Sequence, residues 1–371
     1  MTMWLWTYGP WREGPQSDIG PATNKTITWR LTGRHEASYN INGRVAEAYG
    51  LDELISDLWV IRDGTCLFRG RLGSRDDEGD PDSHTVTTSW ADYRAILDRR
   101  QLYDDDPFAY PSADQADIVW GLISATQARA GGNLGVVRGI GQITSVARTD
   151  VIYEAGAKIG ESIDSLAKLE FGFDWDITPA ADPRIHTHTL DIWSPYRGAD
   201  RGVVLDYGAL VTKFSRRVDP AGYSNAVRAA GGGDTVDPVI VQAPDLATRP
   251  EGRWDLAVNA SELGSDADLE AAANQALADS QLVTPSYTLT LRAGAWRGRD
   301  HIWLGDLVRL RIRSGCLDVD DLYRVQEIGA AWSADTDADG VTATITVGAI
   351  PPDRRLHLRA LDRRLAALER R

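Results

Sequence analysis

Three aspartates at alternate positions are the residues of this sequence whose spacing comes closest to a metal-binding motif. Asp335, Asp337 and Asp339 precede Gly340, as in the first half of a calcium loop, where carboxylates alternate and a glycine lets the chain bend. Such a loop normally has a bidentate glutamate six residues past the glycine, and this sequence has Thr346 there. The pattern indicates a Ca²⁺ site with an incomplete ligand set, and an acidic hairpin loop without metal is the favoured alternative. No other cofactor is expected.

Two further pairs of side chains have a spacing that could support chemistry. His186 and His188 alternate along one predicted strand and could begin a zinc site, but zinc requires three or four ligands and no third is identifiable. Asp174 and Asp176 could serve as the two acids of a glycosidase. Such pairs are expected by chance among the 54 acids of the chain. We therefore expect structural roles for both pairs.

Sequence motifs of the common enzyme classes are absent. The chain contains no Gly-x-Ser-x-Gly nucleophile elbow, no phosphate-binding loop, no zinc-protease helix and no dinucleotide fingerprint. We therefore expect that the protein is not an enzyme, and we predict no catalytic residue.

The chain is rich in tryptophan, which can serve either as a core anchor or as a platform for sugars. Three of the 13 tryptophans, Trp4, Trp6 and Trp11, cluster near the start. If exposed, these rings could stack on sugars or grip a protein partner; if buried, they anchor a core or an interface. We favour burial.

Leucines in the last twenty or so residues form a heptad-like stripe. Pro351 and Pro352 precede a predicted helix that runs to Arg371, because proline is tolerated at the start of a helix. Its stripe has the a/d spacing of a coiled coil, and its members are Leu358, Leu361, Leu365 and Leu368. Two heptads are marginal in isolation. The stripe therefore predicts a contact with other subunits or another protein, the alternative being that the helix packs on its own domain.

Charge and composition argue against several classes of protein. A net charge of −14, a pI near 4.9 and no evident basic patch argue against sequence-specific nucleic-acid binding. Acidity favours solubility, and it also suits a conduit for DNA, whose wall should repel phosphate. Cys66 and Cys316, the two cysteines, cannot build a disulfide framework. The sequence has no run of about 18 apolar residues and no secretory signal pattern, so neither a membrane span nor secretion is expected.

Alternation of apolar and polar residues predicts a β-rich α+β fold. Ile27, Trp29 and Leu31 share one face of a predicted strand. Asp63 and Gly64 separate two apolar runs and predict a hairpin turn. Further alternating segments toward the end of the chain predict a second group of strands, which we expect to form a small barrel or sandwich.

Helical segments and loops divide the chain into regions. Ser112 is expected to cap a helix with Asp114 in its first turn, and a second helix is expected over residues 159–169. The predicted regions are a first β-rich domain (1–107), an inserted α+β domain (108–201), return strands (202–235), a second small α+β insertion (236–290), a second β-rich domain (291–350) and a C-terminal amphipathic helix (351–371).

Four stretches of the sequence occur in an order that resembles the baseplate hub proteins, or minor tail proteins, of long-tailed bacteriophages of the siphovirus type. Each stretch is weak alone, but their order and spacing over roughly residues 50–350 is more specific. They are residues 63–72 with 92–97, residues 153–156 with 163–167 and 171–177, residues 204–208 with 225–231, and residues 304–310 with 323–325.

The resemblance implies a fold, an assembly and a set of partners. The fold would contain two tail-tube-like β-barrel domains with inserted mixed α/β domains. Three copies would form a homotrimeric ring with pseudo-sixfold symmetry around the tail axis, through which DNA passes. The partners would be the distal tail protein ring, the C-terminus of the tape measure protein and a central fibre or spike. The protein would be assembled in the host cytoplasm and reside at the tail tip of the virion.

Two other functions remain open from the sequence. A carbohydrate-binding adhesin of the tail tip would use tryptophans as sugar platforms. A cell-wall hydrolase with an unrecognised acid pair is the less favoured alternative. Binding to cell-wall glycan would support the first, and peptidoglycan turnover that is lost on removing one acid would support the second.

Overall fold

The structure of the protein is a computed structural model that describes residues 3–80, 82–103, 108–169, 171–231, 237–260, 263, 266–281, 283–332 and 341–348. Its strands are β1 (Trp4–Pro10), β2 (Ser17–Asp18), β3 (Thr23–Arg30), β4 (Glu36–Asn42), β5 (Ser56–Arg62), β6 (Thr65–Gly79), β7 (His84–Asp92), β8 (Phe108–Asp114), β9 (Val136–Arg138), β10 (Ala147–Tyr153), β11 (Asp174–Pro179), β12 (His188–Trp193), β13 (Asp200–Asp206), β14 (Val211–Arg217), β15 (Ala226–Gly231), β16 (Val239–Gln242), β17 (Asp255–Ala260), β18 (Ser286–Leu291), β19 (Leu307–Ser314), β20 (Leu317–Trp332) and β21 (Val341–Gly348). Its α-helices are α1 (Gly43–Tyr49), α2 (Tyr93–Leu97), α3 (Gln115–Gln127), α4 (Ile159–Ala167) and α5 (Asp266–Ser280).

One large sheet contains strands from both ends of the described chain. Its main path runs in the order β14-β18-β21-β20-β3-β4-β7-β6-β5-β1-β2, and β19 and β13 join it through β20. The link between its two halves is the antiparallel pair β3–β20, in which Trp29 lies opposite Ile328 and Ile27 lies opposite Ala330. The sheet has the shape of a half-barrel. Strands from the regions predicted as first and second barrels therefore share one hydrogen-bonded sheet.

The hairpin formed by β5 and β6 follows from its two turn residues. Asp63 and Gly64 have φ values of 49° and 82°, the left-handed region that aspartate tolerates and glycine favours. A two-residue turn of this kind matches the right-handed twist of the flanking strands. The hairpin predicted from the sequence is confirmed. The strand before the turn is buried on both faces, with Trp59 and Ile61 packed against Cys66 on the side away from the main core.

Apolar side chains form three principal cores. The largest lies in the large sheet. A second fills the inserted unit (residues 93–193), where Leu122 and Ile163 of two helices pack against Trp175 of β11. The third fills the small unit (residues 226–280), where Leu269 and Ala273 of α5 cover β15. Burial of one such leucine stabilises the fold by roughly 1.5–3 kcal/mol.

Aspartates set the beginnings of two helices in the inserted unit. The Asp92 carboxylate accepts the backbone N–H of Ala95, and the Asp114 carboxylate accepts that of Ala116 at 2.8 Å. Ser112, which the sequence predicted as a helix cap, lies within β8 instead, opposite Thr149 of β10. That prediction was wrong because strand pairing continues two residues beyond Ser112, and the aspartate at the strand end then caps the helix.

The prediction of a β-rich chain with few helices is confirmed. The division into two separate barrels and the boundaries of the six regions remain predictions. Among the described residues, no helix combines the length and apolar character needed to cross a membrane. The predicted C-terminal helix, residues 351–371, lies outside the described residues.

Candidate functional site: a buried ion-pair junction

The sequence predicted one metal site and one contact surface, and the residues of both fall outside the part of the chain that the structure describes. They are the aspartates of the predicted calcium loop, Asp335, Asp337 and Asp339, and the leucines of the predicted contact stripe, Leu358, Leu361, Leu365 and Leu368. Both assignments therefore stay predictions.

His186 and His188 have different surroundings and do not form a ligand pair. His186 is exposed. His188 is only 1% exposed, and its ring stacks on that of Tyr93 with centroids 3.7 Å apart. Burial lowers the pKa of His188 well below its usual value, and Arg69 and Arg71 lower it further. His188 is therefore a neutral core side chain at pH 7, as the structural interpretation of this pair predicted.

Asp174 and Asp176 both bind Arg197, and each has a second partner elsewhere in the chain. The backbone N–H of Arg197 donates to Asp174 at 2.6 Å, and its guanidinium donates to Asp176 at 2.8 Å. The guanidinium of Arg324 donates to Asp174 as well. Arg324 belongs to β20 of the large sheet and Asp174 to β11 of the inserted unit. The two aspartates thus join separate parts of the chain.

His35, between β3 and β4, continues this network into the large sheet. Its Nδ1 accepts the backbone N–H of Arg30 at 3.1 Å, so its Nε2 carries the proton and donates to Asp176 at 3.1 Å. The backbone N–H of His35 donates in turn to Asp92 at 3.0 Å. Together with Arg197, the buried residues His35, Asp92 and Asp176 are called the junction cluster below.

The junction cluster separates the pKa values of its two carboxyl groups. Burial raises the pKa of Asp92 to about 6, although His35 partly offsets this effect. Burial would also raise the pKa of Asp176, but its interactions with His35 and Arg197, including a hydrogen bond from each, outweigh burial and lower this pKa well below the ordinary range. Asp176 is therefore a carboxylate throughout the physiological range, with its charge neutralised by its partners.

The junction cluster has metal-binding residue types but not a free ligand set. The ligand atoms of His35, Asp92 and Asp176 lie within 4.8 Å of one another. A metal ion would have to remove the proton on His35 Nε2 and displace Arg197 from Asp176, because imidazole binds metal through an unprotonated nitrogen. The donor set thus suits a hydrogen bond from His35 and an ion pair with Arg197, which together fix the inserted unit on the sheet.

A second buried charge group lies beside the first. Asp57 is fully buried, and its carboxylate accepts Arg69 at 3.0 Å, Arg71 at 3.2 Å and the Tyr93 hydroxyl at 2.6 Å. The Arg69 guanidinium also lies 4.8 Å from the centre of the Trp59 ring, a cation–π distance. Tyr93 is the first residue of the inserted unit, whereas Asp57, Arg69 and Arg71 belong to the large sheet. This group is therefore a second contact that holds the inserted unit on the sheet.

Solved structures with the same architecture are phage tail proteins and their relatives. No protein-family model matches the sequence, and no curated protein matches it. The tail protein from Neisseria meningitidis MC58 is 14% identical, with 94% of this chain and 97% of that chain covered and a TM-score of 0.62. The 43 kDa tail protein of prophage MuSo2 from Shewanella oneidensis is 14% identical, with 95% and 99% covered and a TM-score of 0.63. This chain has the fold of phage tail proteins.

A third structure with this tail-protein fold is a component of the type VI secretion system of E. coli, described as structurally similar to the T4 bacteriophage tail proteins gp27 and gp5. It is 10% identical, with 89% of this chain and 73% of that chain covered and a TM-score of 0.50. The resemblance stated from the sequence is confirmed at the level of fold.

Six tryptophans pack together where the two halves of the tail-protein sheet meet, and they are Trp4, Trp6, Trp29, Trp296, Trp303 and Trp332. The ring of Trp332 on β20 lies 4.9 Å from Trp4 and 5.2 Å from Trp6, both in edge-on geometry. Trp6 is buried, and Trp4 and Trp11 are partly covered. The favoured interpretation as core anchors is confirmed for Trp6, which is in the largest core, and for Trp4, which packs against it. Trp11 belongs to none of the cores formed by the described residues.

The residues that fasten the tail-protein fold together gave little signal in the sequence. His35, Asp92 and Arg197 belong to no motif, and His35 lies 141 positions from Asp176. Asp174 and Asp176 were noticed as a pair, but for a catalytic spacing rather than for their partners. An alternating acid pair on a strand that is otherwise apolar, as in β11, was the one local sign of buried cations nearby.

Proposed function

We propose that the chain is a structural subunit of a phage tail, and that it serves as the baseplate hub at the tail tip. The fold supports the first part, since two tail proteins match nearly the whole chain in architecture. In this proposal three copies form a ring around the tail axis. The ring joins the tail tube and the distal tail ring to a central spike or fibre, and it allows DNA to pass during ejection.

The proposal of a ring is supported by the large sheet, which ends in an edge strand. At one end of its main path, β14 pairs only with β18 among the described strands. An edge strand presents unpaired N–H and C=O groups, which proteins protect with charge or cover with a neighbouring chain. β14 carries Lys213, Arg216 and Arg217 and is mostly exposed. A closed ring of identical copies covers such an edge when it meets a different surface of the next copy.

The net charge of −14 supports DNA passage rather than DNA binding. Affinity for DNA comes mainly from lysine and arginine contacts to phosphates, so an acidic channel wall lets the duplex slide without being held. No step of the proposed function requires a catalytic group. The acid pair that could have served a hydrolase, Asp174 and Asp176, is occupied by Arg197 and Arg324.

The remaining contacts of the hub belong to the same proposal. Its partners are the distal tail protein ring, the C-terminus of the tape measure protein and the downstream fibre or spike. In the assembled ring, the leucine stripe of residues 358–368 contacts neighbouring copies or those partners. If the aspartate loop at residues 335–339 binds Ca²⁺, calorimetry on the full chain will show saturable heat that is lost in Asp337→Asn.

Immunogold electron microscopy of intact particles tests the location. Antibody to this chain is expected to label the end of the tail that is distal to the capsid. Label along the tail shaft or on the capsid would contradict the hub assignment. Label on peripheral fibres, combined with binding to cell-wall glycan, would instead favour the adhesin, for which Trp254 is the exposed tryptophan at 52%.

A further inference from the structure

A groove of about 480 Å³ separates the inserted unit from the small unit. Ala272 and Ala276 of α5 line one wall, and Leu256 and Val258 of β17 line the other. Leu169, just after α4, lies at its end. This volume is in the range of ordinary ligand pockets. The groove is partly open to solvent and is lined largely by apolar and small side chains.

One wall of the groove is an edge strand, β17, that leaves apolar surface exposed. β17 pairs with β15 on one side only, among the described strands, so it is the edge of its sheet. Its Leu256 remains 37% exposed. On α5, alanines occupy the groove side, and such small residues allow another helix to approach closely. The shape and chemistry suit an amphipathic helix.

One segment of this chain has the complementary pattern. Residues 351–371 contain seven arginines and three acids, a net charge of +4, while the whole chain carries −14. The other 350 residues therefore carry −18. α5 contributes four acids and no lysine or arginine, namely Asp266, Asp268, Glu270 and Asp279. Lys168 is the one base among the residues that line the groove. Asp279 is the acid of α5 that lines the groove. A basic helix with a leucine stripe thus fits the apolar lining and the acidic character of α5.

The segment follows a strand that lies two strand positions from the chain leading to the groove. β21 ends at Gly348, and its Val347 lies opposite Tyr287 of β18. Ser286, one residue earlier, lies opposite Arg217 of β14. The end of β21 is thus two strand spacings, or roughly 10 Å, from the end of β14. Gly222, which follows Arg217 by five residues, lines the groove. A helix over residues 353–371 would be about 28 Å long.

We propose that residues 353–371 dock as an amphipathic helix in the groove of their own chain in the free subunit. The leucine stripe fills the space between α5 and β17, and the arginines face the acids of α5. Docking within one chain is favoured over capture of another copy, because a tethered segment has an effective concentration of roughly millimolar. In the free subunit the groove covers the leucine stripe. On assembly the helix leaves the groove, and its leucines contact neighbouring subunits. The docking itself does not depend on the ring.

Disulfide trapping in the isolated monomer tests the docked state. In a Cys316→Ser background, Leu361→Cys is combined with Ala276→Cys. Burial raises the pKa of Cys66 to about 12, so this thiol does not compete. The control combines Ala276→Cys with Ala367→Cys, a position on the far side of the predicted helix. We expect an intrachain disulfide in the first variant at about tenfold the rate of the control, since thiolates react by proximity.

Equal rates in the two variants, or disulfides found only between chains, would overturn the proposal. A second measurement guards against misfolded cysteine variants. Hydrogen exchange is compared between the full-length protein and full-length Leu361→Asp/Leu365→Asp. The variant is expected to exchange about tenfold faster in peptides covering β17 and α5, while β8 and β10 stay unchanged. Unchanged protection of β17 and α5 would also overturn docking, whatever the immunogold result.

Discussion

Asp57 is a buried carboxylate that provides the negative charge opposite two guanidinium groups, those of Arg69 and Arg71. Both groups donate to it, and so does the hydroxyl of Tyr93. Asp57→Asn keeps the volume but leaves Arg69 and Arg71 without a counter-charge. Removing one partner of a buried ion pair typically costs about 3–5 kcal/mol. We expect a loss of that size in the free energy of unfolding, measured by urea denaturation.

The matched control for that variant is Asp318→Asn. Asp318 pairs with Arg313 at 3.4 Å, but both side chains are more than three-quarters exposed. Exposed pairs contribute little because water screens them. The urea midpoint of this variant should match the unchanged protein. Equal losses for Asp57→Asn and Asp318→Asn would contradict the importance given to the buried group.

Asp92 gives the junction cluster a pH dependence. Its pKa of about 6 means that the folded protein holds this proton at a pH where the unfolded chain, with an ordinary value of 3.8, has released it. Stability from this group is thus full below pH 3.8 and is lost as the pH rises to about 6. The cost of Asp92→Asn should therefore be larger near about pH 4.5 than near about pH 6.5.

Urea denaturation at both pH values measures this difference, with Asp318→Asn as the control for general charge effects. The control should follow the unchanged protein at each pH. If the cost of Asp92→Asn were the same at both values, or larger at the higher one, burial would not be raising the pKa of Asp92 in the folded protein.

At the scale of elements, the β5–β6 hairpin offers a test of backbone conformation. Gly64 has a φ of 82°, where a side chain is strained. Gly64→Ala should lower the free energy of unfolding by about 1–2 kcal/mol. Gly20→Ala is the control, because Gly20 is exposed and a Cβ there meets no atom within 4 Å. Thermal unfolding of both variants checks the difference, and equal melting temperatures would contradict the turn assignment.

Elements set by local rules could be predicted from the sequence. The alternation of Ile27, Trp29 and Leu31 indicated a strand face. All three are buried, Ile27 and Trp29 within β3 and Leu31 directly after it. The helix predicted over residues 159–169 corresponds to α4, Ile159–Ala167. The end of β8 was missed because Ser112 and Asp114 are both good caps, and only pairing with β10 decides between them. Tertiary pairing overrides local preference in such cases.

At the scale of the whole molecule, the features that the sequence could not predict are all long-range. Pairing of β3 with β20 joins residues about 300 positions apart, as Arg30 with Glu327 shows. Local periodicity predicts each strand but carries no information about its distant partner. The same reason hides the junction cluster. Two of its members lie in β7 and β11, a third lies between β3 and β4, and the fourth lies between β12 and β13. The family resemblance supplied the global fold that periodicity could not.

Cryo-electron microscopy of the intact particle tests the central claim most directly. The hub account predicts three copies of this chain around the axis at the tail tip, with the free edge of each β14 covered by a neighbour and an acidic surface facing the channel. A chain that is absent from the tip, or that is bound at its periphery with β14 open to solvent, would contradict the account.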